Sequence, residues 1–181
     1  MKCRTLLFMA TVALSSLSLS AFNYNGIEYE AVSGSTAKVS SGVNATGDVV
    51  IPETVYDGET PYTVTELAKS CFRSAQVKSV TLPSTVTKIG SSAFNSSTVE
   101  TVVLNEGVTS IPLNTFYACA NLKEITLPTS LKSIGTLAFY QCVALKSVNI
   151  PEGVTLIDDC AFKECTSLES VKLPSTCTKY Y

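Results

Sequence analysis

The sequence has no histidine and no tryptophan, and only 15% of its 181 residues are charged. Without histidine no Ser–His or Cys–His catalytic pair can form, and the commonest protein ligand of transition metals is missing. The 13 Lys and Arg against 15 Asp and Glu give a net charge of −2, so no basic field attracts nucleic acid or anionic lipid. Gly90 and Gly135 stand alone, so no glycine-rich phosphate loop exists either. We therefore expect no catalytic residues, no cofactor and no metal ion, and a protein that is not an enzyme.

The N-terminal segment, 1–21, has the pattern of an export signal. Lys2 and Arg4 precede an apolar stretch at 6–14, and small residues follow at 15–21. A membrane anchor is the alternative, but the serines after position 14 leave the stretch too short and too polar to span a bilayer. The pattern predicts a signal peptide at 1–21, no transmembrane segment after its removal, and a secreted or cell-surface protein.

An internal repeat organises the rest of the chain. Phenylalanines recur at a nearly constant interval, at Phe72, Phe94, Phe116, Phe139 and Phe162. An aliphatic column lies five positions before them, at Leu67, Ile89, Ile111, Ile134 and Ile157. A third column consists of Val80, Val102, Ile125, Val148 and Val171. A period of this length indicates a solenoid, because a single unit cannot bury its apolar face alone.

Each repeat divides into two halves. Ile125 and Leu127 alternate with polar residues, and Pro128, which has no N–H group, ends this short strand. Apolar residues then recur at the three- to four-residue spacing of a helix between 131 and 142. We therefore predict an α/β-type repeat solenoid with units of about 22–23 residues, each a short parallel strand plus a helical or 3₁₀ turn.

The N-terminal part departs from the repeat. Alternating apolar residues flank Asn25–Gly26, a dipeptide typical of tight hairpins, and predict a hairpin cap over 22–48. Such a cap would cover the open face of the first repeat. Repeats then occupy 49–181, and an insertion after Pro52 carries a second hairpin that turns at Asp57–Gly58.

The repeat pattern L-x-x-V-x-L-P-x-x-V-x-x-I-G-x-x-A-F-x-x-C resembles the BspA-like leucine-rich repeats of bacterial surface antigens. The resemblance covers about residues 49–181. It implies a leucine-rich repeat fold and a role in protein–protein interaction, including adhesion to host matrix or plasma proteins or to other cells.

Three of the seven cysteines form a further column, three positions after the repeat Phe: Cys119, Cys142 and Cys165. Zinc sites use Cys pairs two to four residues apart, whereas a full repeat separates these residues. We predict small buried side chains with free thiols. Cys160 lies outside the columns and is predicted to be a more exposed thiol.

The outward residues of the predicted strands form a candidate partner-binding surface. Its first row is Ser79, Thr101, Glu124, Ser147 and Ser170, and its second row is Thr81, Val103, Thr126, Asn149 and Lys172. Neither row contains Trp, Tyr or Arg, the residues that dominate protein hot spots, so a plain solvated sheet stays open as an alternative. Tyr56 and Tyr62 on the inserted hairpin are the aromatic candidates.

These observations support one function hypothesis and two competing ones. The first is a secreted or cell-surface, non-catalytic repeat protein that mediates protein–protein interaction with a partner of unknown identity. The second is a structural display or spacer module, including a truncated fragment, with no ligand of its own. The third is a glycoside hydrolase that uses Asp158, Asp159 and Glu164, but two acting carboxylates require a cleft, and these residues fall in a predicted exposed turn.

Overall fold

The computed structural model describes residues 20–180, and this part of the chain contains no helix. The predicted signal peptide at 1–21 falls almost entirely outside the described residues. Sixteen strands follow one another between residues 21 and 180. They are β1 (Ala21–Tyr24), β2 (Ile27–Ser33), β3 (Thr36–Ser41), β4 (Thr46–Val50), β5 (Thr54–Asp57), β6 (Thr60–Leu67), β7 (Gln76–Thr81), β8 (Lys88–Ile89), β9 (Thr101–Val103), β10 (Ser110–Ile111), β11 (Glu124–Thr126), β12 (Ser133–Ile134), β13 (Ser147–Asn149), β14 (Leu156–Ile157), β15 (Ser170–Lys172) and β16 (Lys179–Tyr180).

Two parallel ladders run along the solenoid, and each repeat contributes one strand to each ladder. In the first ladder β4, β7, β9 and β11 pair in order, which stacks Val80 on Val102 and Val102 on Ile125. It continues beside β11 with the pair β13–β15. In the second ladder β10, β12, β14 and β16 pair in order, which stacks Ile111 on Ile134. Because equivalent residues pair, each apolar column of the sequence becomes a continuous row in space.

The N-terminal sheet joins only one of these ladders. It has the order β1-β2-β3-β6-β5, with β8 also paired to β6. β1 and β2 are antiparallel and turn at Asn25–Gly26, where both residues have positive φ. β3 pairs with β6 in parallel and brings Val39 against Leu67, the first member of the aliphatic column. β8 lies beside β10, so the second ladder runs on into the hairpin, whereas the first ladder ends at β4.

A stack of phenylalanine rings runs through the core, which also contains the buried aliphatic columns of both ladders. Consecutive rings from Phe72 to Phe162 lie 5.0–5.3 Å apart between centroids and are tilted by only 4–9°. The first four rings are fully buried. Offset stacking at this distance adds to the apolar burial, so the rings form a spine through the repeats.

The predicted α/β fold with helical or 3₁₀ turns is wrong: the described chain is a solenoid of strands, a β-solenoid without helix. The segments after β6, β8, β10, β12 and β14 are series of tight turns, and each contains two residues with positive φ. These residues are Ser70 and Ser74, Ser92 and Ser96, Asn114 and Ala118, Leu137 and Gln141, and Cys160 and Glu164. An α-helix needs consecutive right-handed residues, so two left-handed residues four positions apart interrupt it.

Hydrogen bonding explains why the turns replace a helix. In the segment 135–142 the N–H groups of Ala138 and Tyr140 close turns onto carbonyls three positions back. The intervening N–H groups of Leu137, Phe139 and Gln141 donate instead to carbonyls of the next repeat, at 2.8–3.0 Å. Every second N–H group thus donates to a carbonyl outside its own segment, whereas in an α-helix each N–H donates to the carbonyl four positions back. The apolar residues have helical spacing because successive turns direct the side chains at these positions into the core.

Candidate interaction surface

The strand face, the exposed side of the first ladder, carries both predicted rows. Ser79, Thr101 and Glu124 lie beside one another across β7, β9 and β11, and Thr81, Val103 and Thr126 do the same. The pairs Ser147–Ser170 and Asn149–Lys172 continue the rows on β13 and β15. All ten side chains are exposed except Ser79, which is half-buried. The tertiary structure therefore brings the ten row residues onto one face.

Small hydroxyl groups and two exposed valines dominate this face. Val103 is 47% exposed, and Val50, which extends the same row onto β4, is 72% exposed. Asp48 extends the other row, and its carboxylate accepts a 2.7 Å hydrogen bond from the Ser79 hydroxyl. Such a face offers hydrogen bonds and shallow apolar contacts to a partner.

Charged residues of both signs border the strand face. The Lys123 ammonium lies 2.7 Å from the Glu100 carboxylate, across neighbouring strands. This hydrogen bond and charge lower the pKa of Glu100. Because the charges pair along the edge, the border carries no field of one sign that would steer a strongly charged partner.

The structure separates Tyr56 from Tyr62. Tyr62 lies opposite the buried Val55 in the β5–β6 pair and is half-buried against the Phe22 ring at 5.4 Å. Tyr56 is adjacent to Val55 in the strand, so it points to the other side, where it is 48% exposed and packs on Tyr24 at 6.5 Å. The two tyrosines therefore do not form one aromatic site, and neither belongs to the two rows.

An aromatic pair that the sequence reasoning did not single out lies on the turn face, the outward side of the turn segments. The rings of Tyr117 and Tyr140 stack at 5.0 Å with a 17° tilt, and both are half-buried. Leu113 and Val143 in the same segments are 47% and 38% exposed. Each tyrosine directly follows a repeat Phe. Their recurrence at the period of the repeat could therefore have predicted that the two rings stack.

A groove of about 330 Å³ lies between the β1–β2 turn and β4. Tyr24, Ile27 and Tyr29 line one side, and Asp48 and Val50 line the other. The Tyr29 side chain is fully buried, and its hydroxyl has no hydrogen-bond partner among the described residues. Burial, assisted by the neighbouring Tyr24, raises the pKa of Tyr29 to about 12. Sequence reasoning missed this groove because its two sides come from separate segments, on either side of β3.

Comparison with known proteins places this geometry in a family. A family model described as the BspA type leucine rich repeat region matches residues 65–181 in six copies, more than half of the chain. The chain belongs to the BspA-type leucine-rich repeat family. The proposed resemblance is thus confirmed, and the stacked units are BspA-type repeats. No curated protein matches the chain.

Solved structures agree with this assignment. A leucine-rich repeat protein from Bacteroides ovatus is 38% identical with a TM-score of 0.78, over 84% of this chain and 41% of that protein. The leucine-rich repeat protein of T. pallidum is 30% identical with a TM-score of 0.76, over 86% of this chain and 72% of that one. A third, from Bacteroides capillosus, is 24% identical with a TM-score of 0.54 and shows a shared fold alone. This chain spans less than half the length of the B. ovatus protein.

The cysteine column has a structural role in the BspA-type repeats. Each thiol donates to the carbonyl of the Phe one repeat earlier: Cys119 to Phe94 at 2.9 Å, and Cys142 to Phe116 at 3.2 Å. Cys165 repeats the pattern at 3.0 Å. The six cysteines between residues 20 and 180 carry no disulfide, and Cys160 is the exposed one. A small apolar side chain with one donor suits this position, because it fills space and bonds a buried carbonyl.

Asp158 of the acidic cluster is not suited to act as a general acid. The backbone N–H of Asp159 and the Thr136 hydroxyl donate to Asp158, and they lower the pKa of its carboxyl. A general acid requires a raised pKa, so the shift has the opposite sign. No three metal-ligating side chains converge in residues 20–180. In the same residues no helix has the length and hydrophobicity to cross a bilayer.

Proposed function

We propose that this chain is a secreted or cell-surface, non-catalytic interaction protein that binds a protein partner through its strand face. The observation that carries the proposal is the array of ten side chains in two rows across five strands, nine of them exposed. Membership of the BspA-type family supports it, since repeat solenoids commonly use such an extended sheet surface for binding.

The chemistry of the face indicates the kind of partner. Serine and threonine hydroxyls donate and accept hydrogen bonds, and Val50 and Val103 add apolar contact in the same row. The paired border charges of Glu100 and Lys123 favour a partner surface without strong net charge. A mixed polar and apolar protein surface fits these properties. We expect the affinity to change little between low and physiological salt.

Export and adhesion belong to the same proposal. The basic residues at 2 and 4, the apolar stretch and the small residues up to 21 support secretion. The family resemblance supports a host matrix or plasma protein as the partner. The lowered pKa of Asp158 disfavours this residue as the general acid of a hydrolase.

A pair of matched variants tests the strand face. Val103 lies on the strand face and Leu113 on the turn face, and both are 47% exposed. Binding is measured against a panel of purified matrix and plasma proteins by surface plasmon resonance. Val103→Glu is expected to weaken the strongest interaction at least tenfold, because it buries a charge at the contact. Leu113→Glu is the control and should leave it unchanged.

Two results would contradict the proposal. Equal losses in both variants would show that the strand face is not the contact. If no panel protein binds the unmodified chain, the display or spacer function becomes the better explanation, and adhesion to these host proteins is rejected. Secretion is tested separately, because deletion of residues 1–21 should retain the protein inside the producing cell.

A further inference from the structure

The first ladder has an open edge at β4. β4 pairs with β7 on one side, and within residues 20–180 no strand pairs with its other side. The Ile51 N–H donates to the Thr81 carbonyl at 3.0 Å, so the peptide groups of Val49 and Ile51 face β7. The register of β4 against β7 shifts between Gly47 and Asp48, where Gly47 has positive φ. Successive peptide groups of a strand point to opposite sides, and those of Asp48 and Val50 therefore point away from the ladder.

The hairpin leaves this edge uncovered although it protects the other ladder. β3, β2 and β1 extend the second ladder, and the β1–β2 turn lies across a groove from β4. An exposed sheet edge pairs readily with another extended chain unless charge, proline or a cover prevents it. Here Pro52 follows β4 and does not interrupt it. The groove of about 330 Å³ leaves room beside the edge for side chains of an added segment.

From this geometry we propose that β4 accepts an extended peptide strand whose central residue is Lys or Arg. The added strand would hydrogen-bond to the peptide groups of Asp48 and Val50 and extend the first ladder by one strand. Its inward side chains would enter the groove beside Tyr24 and Ile27, which favours small or β-branched apolar residues at these positions.

The preference for a basic residue follows from charge. Asp48 is exposed at the centre of β4, and no Lys or Arg lines the groove. A second copy paired antiparallel about Asp48 would place two carboxylates opposite one another, which is unfavourable. A Lys or Arg opposite Asp48 gives a favourable cross-strand pair instead. The site therefore selects a basic strand of another protein over a second copy of this chain.

This inference goes beyond the proposed function, because it uses a sheet edge instead of the strand face. The test uses an end-capped pentapeptide, Thr-Val-Lys-Val-Thr, titrated into the full chain and followed by the amide resonances of Asp48 and Val50. Both resonances should shift in a saturable manner. The same peptide with its central residue changed to Glu should bind at least tenfold more weakly.

Two variants and a modified peptide make the test specific. Asp48→Lys should reverse the preference, so that the Glu peptide binds at least tenfold more tightly than the Lys peptide. Val50→Pro removes a donor that faces the open edge and should weaken binding at least tenfold, while circular dichroism shows whether the ladder is retained. Leu113→Glu on the turn face is the control and should leave peptide binding unchanged. A peptide N-methylated on the amides that face β4 should not bind.

Several results would overturn the proposal. One is a Lys peptide that leaves the Asp48 and Val50 amides unshifted. Another is an N-methylated peptide that binds as well as the unmodified one. A neutral oligosaccharide such as maltohexaose that shifts the Tyr24 and Tyr29 resonances, without any effect of the peptide, would assign the groove to sugars. Failure here leaves the strand-face proposal intact, because that proposal is measured by Val103→Glu against protein partners.

Discussion

The two sides of each repeat become regular by different physical means. On the strand side, parallel pairing between equivalent residues such as Val102 and Ile125 orders the backbone, and this pairing requires no particular outward side chain. On the turn side, the order depends on buried rings, on residues held at positive φ and on donors shared with the next repeat. The strand side is therefore free to vary its outward residues for binding, whereas the turn side is constrained by the fold.

The largest expected difference between the two sides comes from their buried columns. Phe116→Ala removes a fully buried ring from the stack and should lower the free energy of unfolding by about 3–5 kcal/mol. Val102→Ala removes two buried carbons on the strand side and should cost about 2 kcal/mol. Guanidinium unfolding followed by far-ultraviolet circular dichroism measures both. Equal losses of unfolding free energy would show that the phenylalanine stack stabilises the fold no more than the valine column of the strand side.

Close backbone approach constrains the point where the second ladder enters the turn side. A Cβ atom on Gly90 would collide with the backbone of Ala68 and Lys69, whereas one on Gly135 would lie 3.0 Å from the Leu113 nitrogen. Gly90→Ala should therefore lower the free energy of unfolding by about 1–3 kcal/mol, and Gly135→Ala by clearly less. Thermal unfolding of the two variants checks the order, and the reverse order would contradict it.

Buried thiols make the turn side sensitive to alkaline pH. Burial raises the pKa of Cys71 to about 12 from an ordinary value of 9.0. The thiol stays protonated in the folded chain, while the unfolded chain ionises above its ordinary value. The buried thiol therefore leaves the free energy of unfolding unchanged below pH 9. Between pH 9 and pH 12 it lowers this free energy by about 1.4 kcal/mol per pH unit.

Cys71→Ala removes the titrating thiol, so the variant is compared directly with the unmodified chain. Urea unfolding at a series of pH values should show a shallower alkaline loss of stability in the variant. If both proteins lose stability with the same slope above pH 9, the buried thiol does not contribute.

The smallest expected effect concerns backbone strain in the turns. Ala118 has φ of 54°, a conformation that glycine adopts without steric cost, so Ala118→Gly should stabilise the protein by about 0.5–1 kcal/mol. Ala120, two positions later, is not among the residues with positive φ, and Ala120→Gly should destabilise by a similar amount. Chemical unfolding measures both variants. Changes of opposite sign in the free energy of unfolding support the role of positive φ, and a loss of stability in both variants would reject it.

Much of the interior was predictable from residue spacing. The columns that contain Phe116, Ile134 and Val102 recur once in every repeat, and all three residues are buried in the structure. The strand rows of the candidate surface were also predictable, because residues that flank a buried strand residue point outward.

The turns were not predictable in the same way. Leu137 and Gln141 have no intrinsic preference for positive φ, and they adopt it because the next repeat accepts the hydrogen bonds of their N–H groups. The helical spacing of apolar residues is shared by a helix and by a series of turns, so spacing alone could not distinguish them. The groove at β4 was likewise hidden, since Tyr24 and Asp48 meet only through the sheet topology.

Residue spacing alone accounts for the repeat, its register and the identity of the buried columns, because apolar residues at a fixed period can be buried together only by stacking. Three features arise only in the folded chain: the backbone of the turns, the placement of Tyr56 and Tyr62 on opposite sides, and the open edge of β4. Each of these depends on hydrogen bonds or contacts between residues far apart along the chain, which local propensity does not encode.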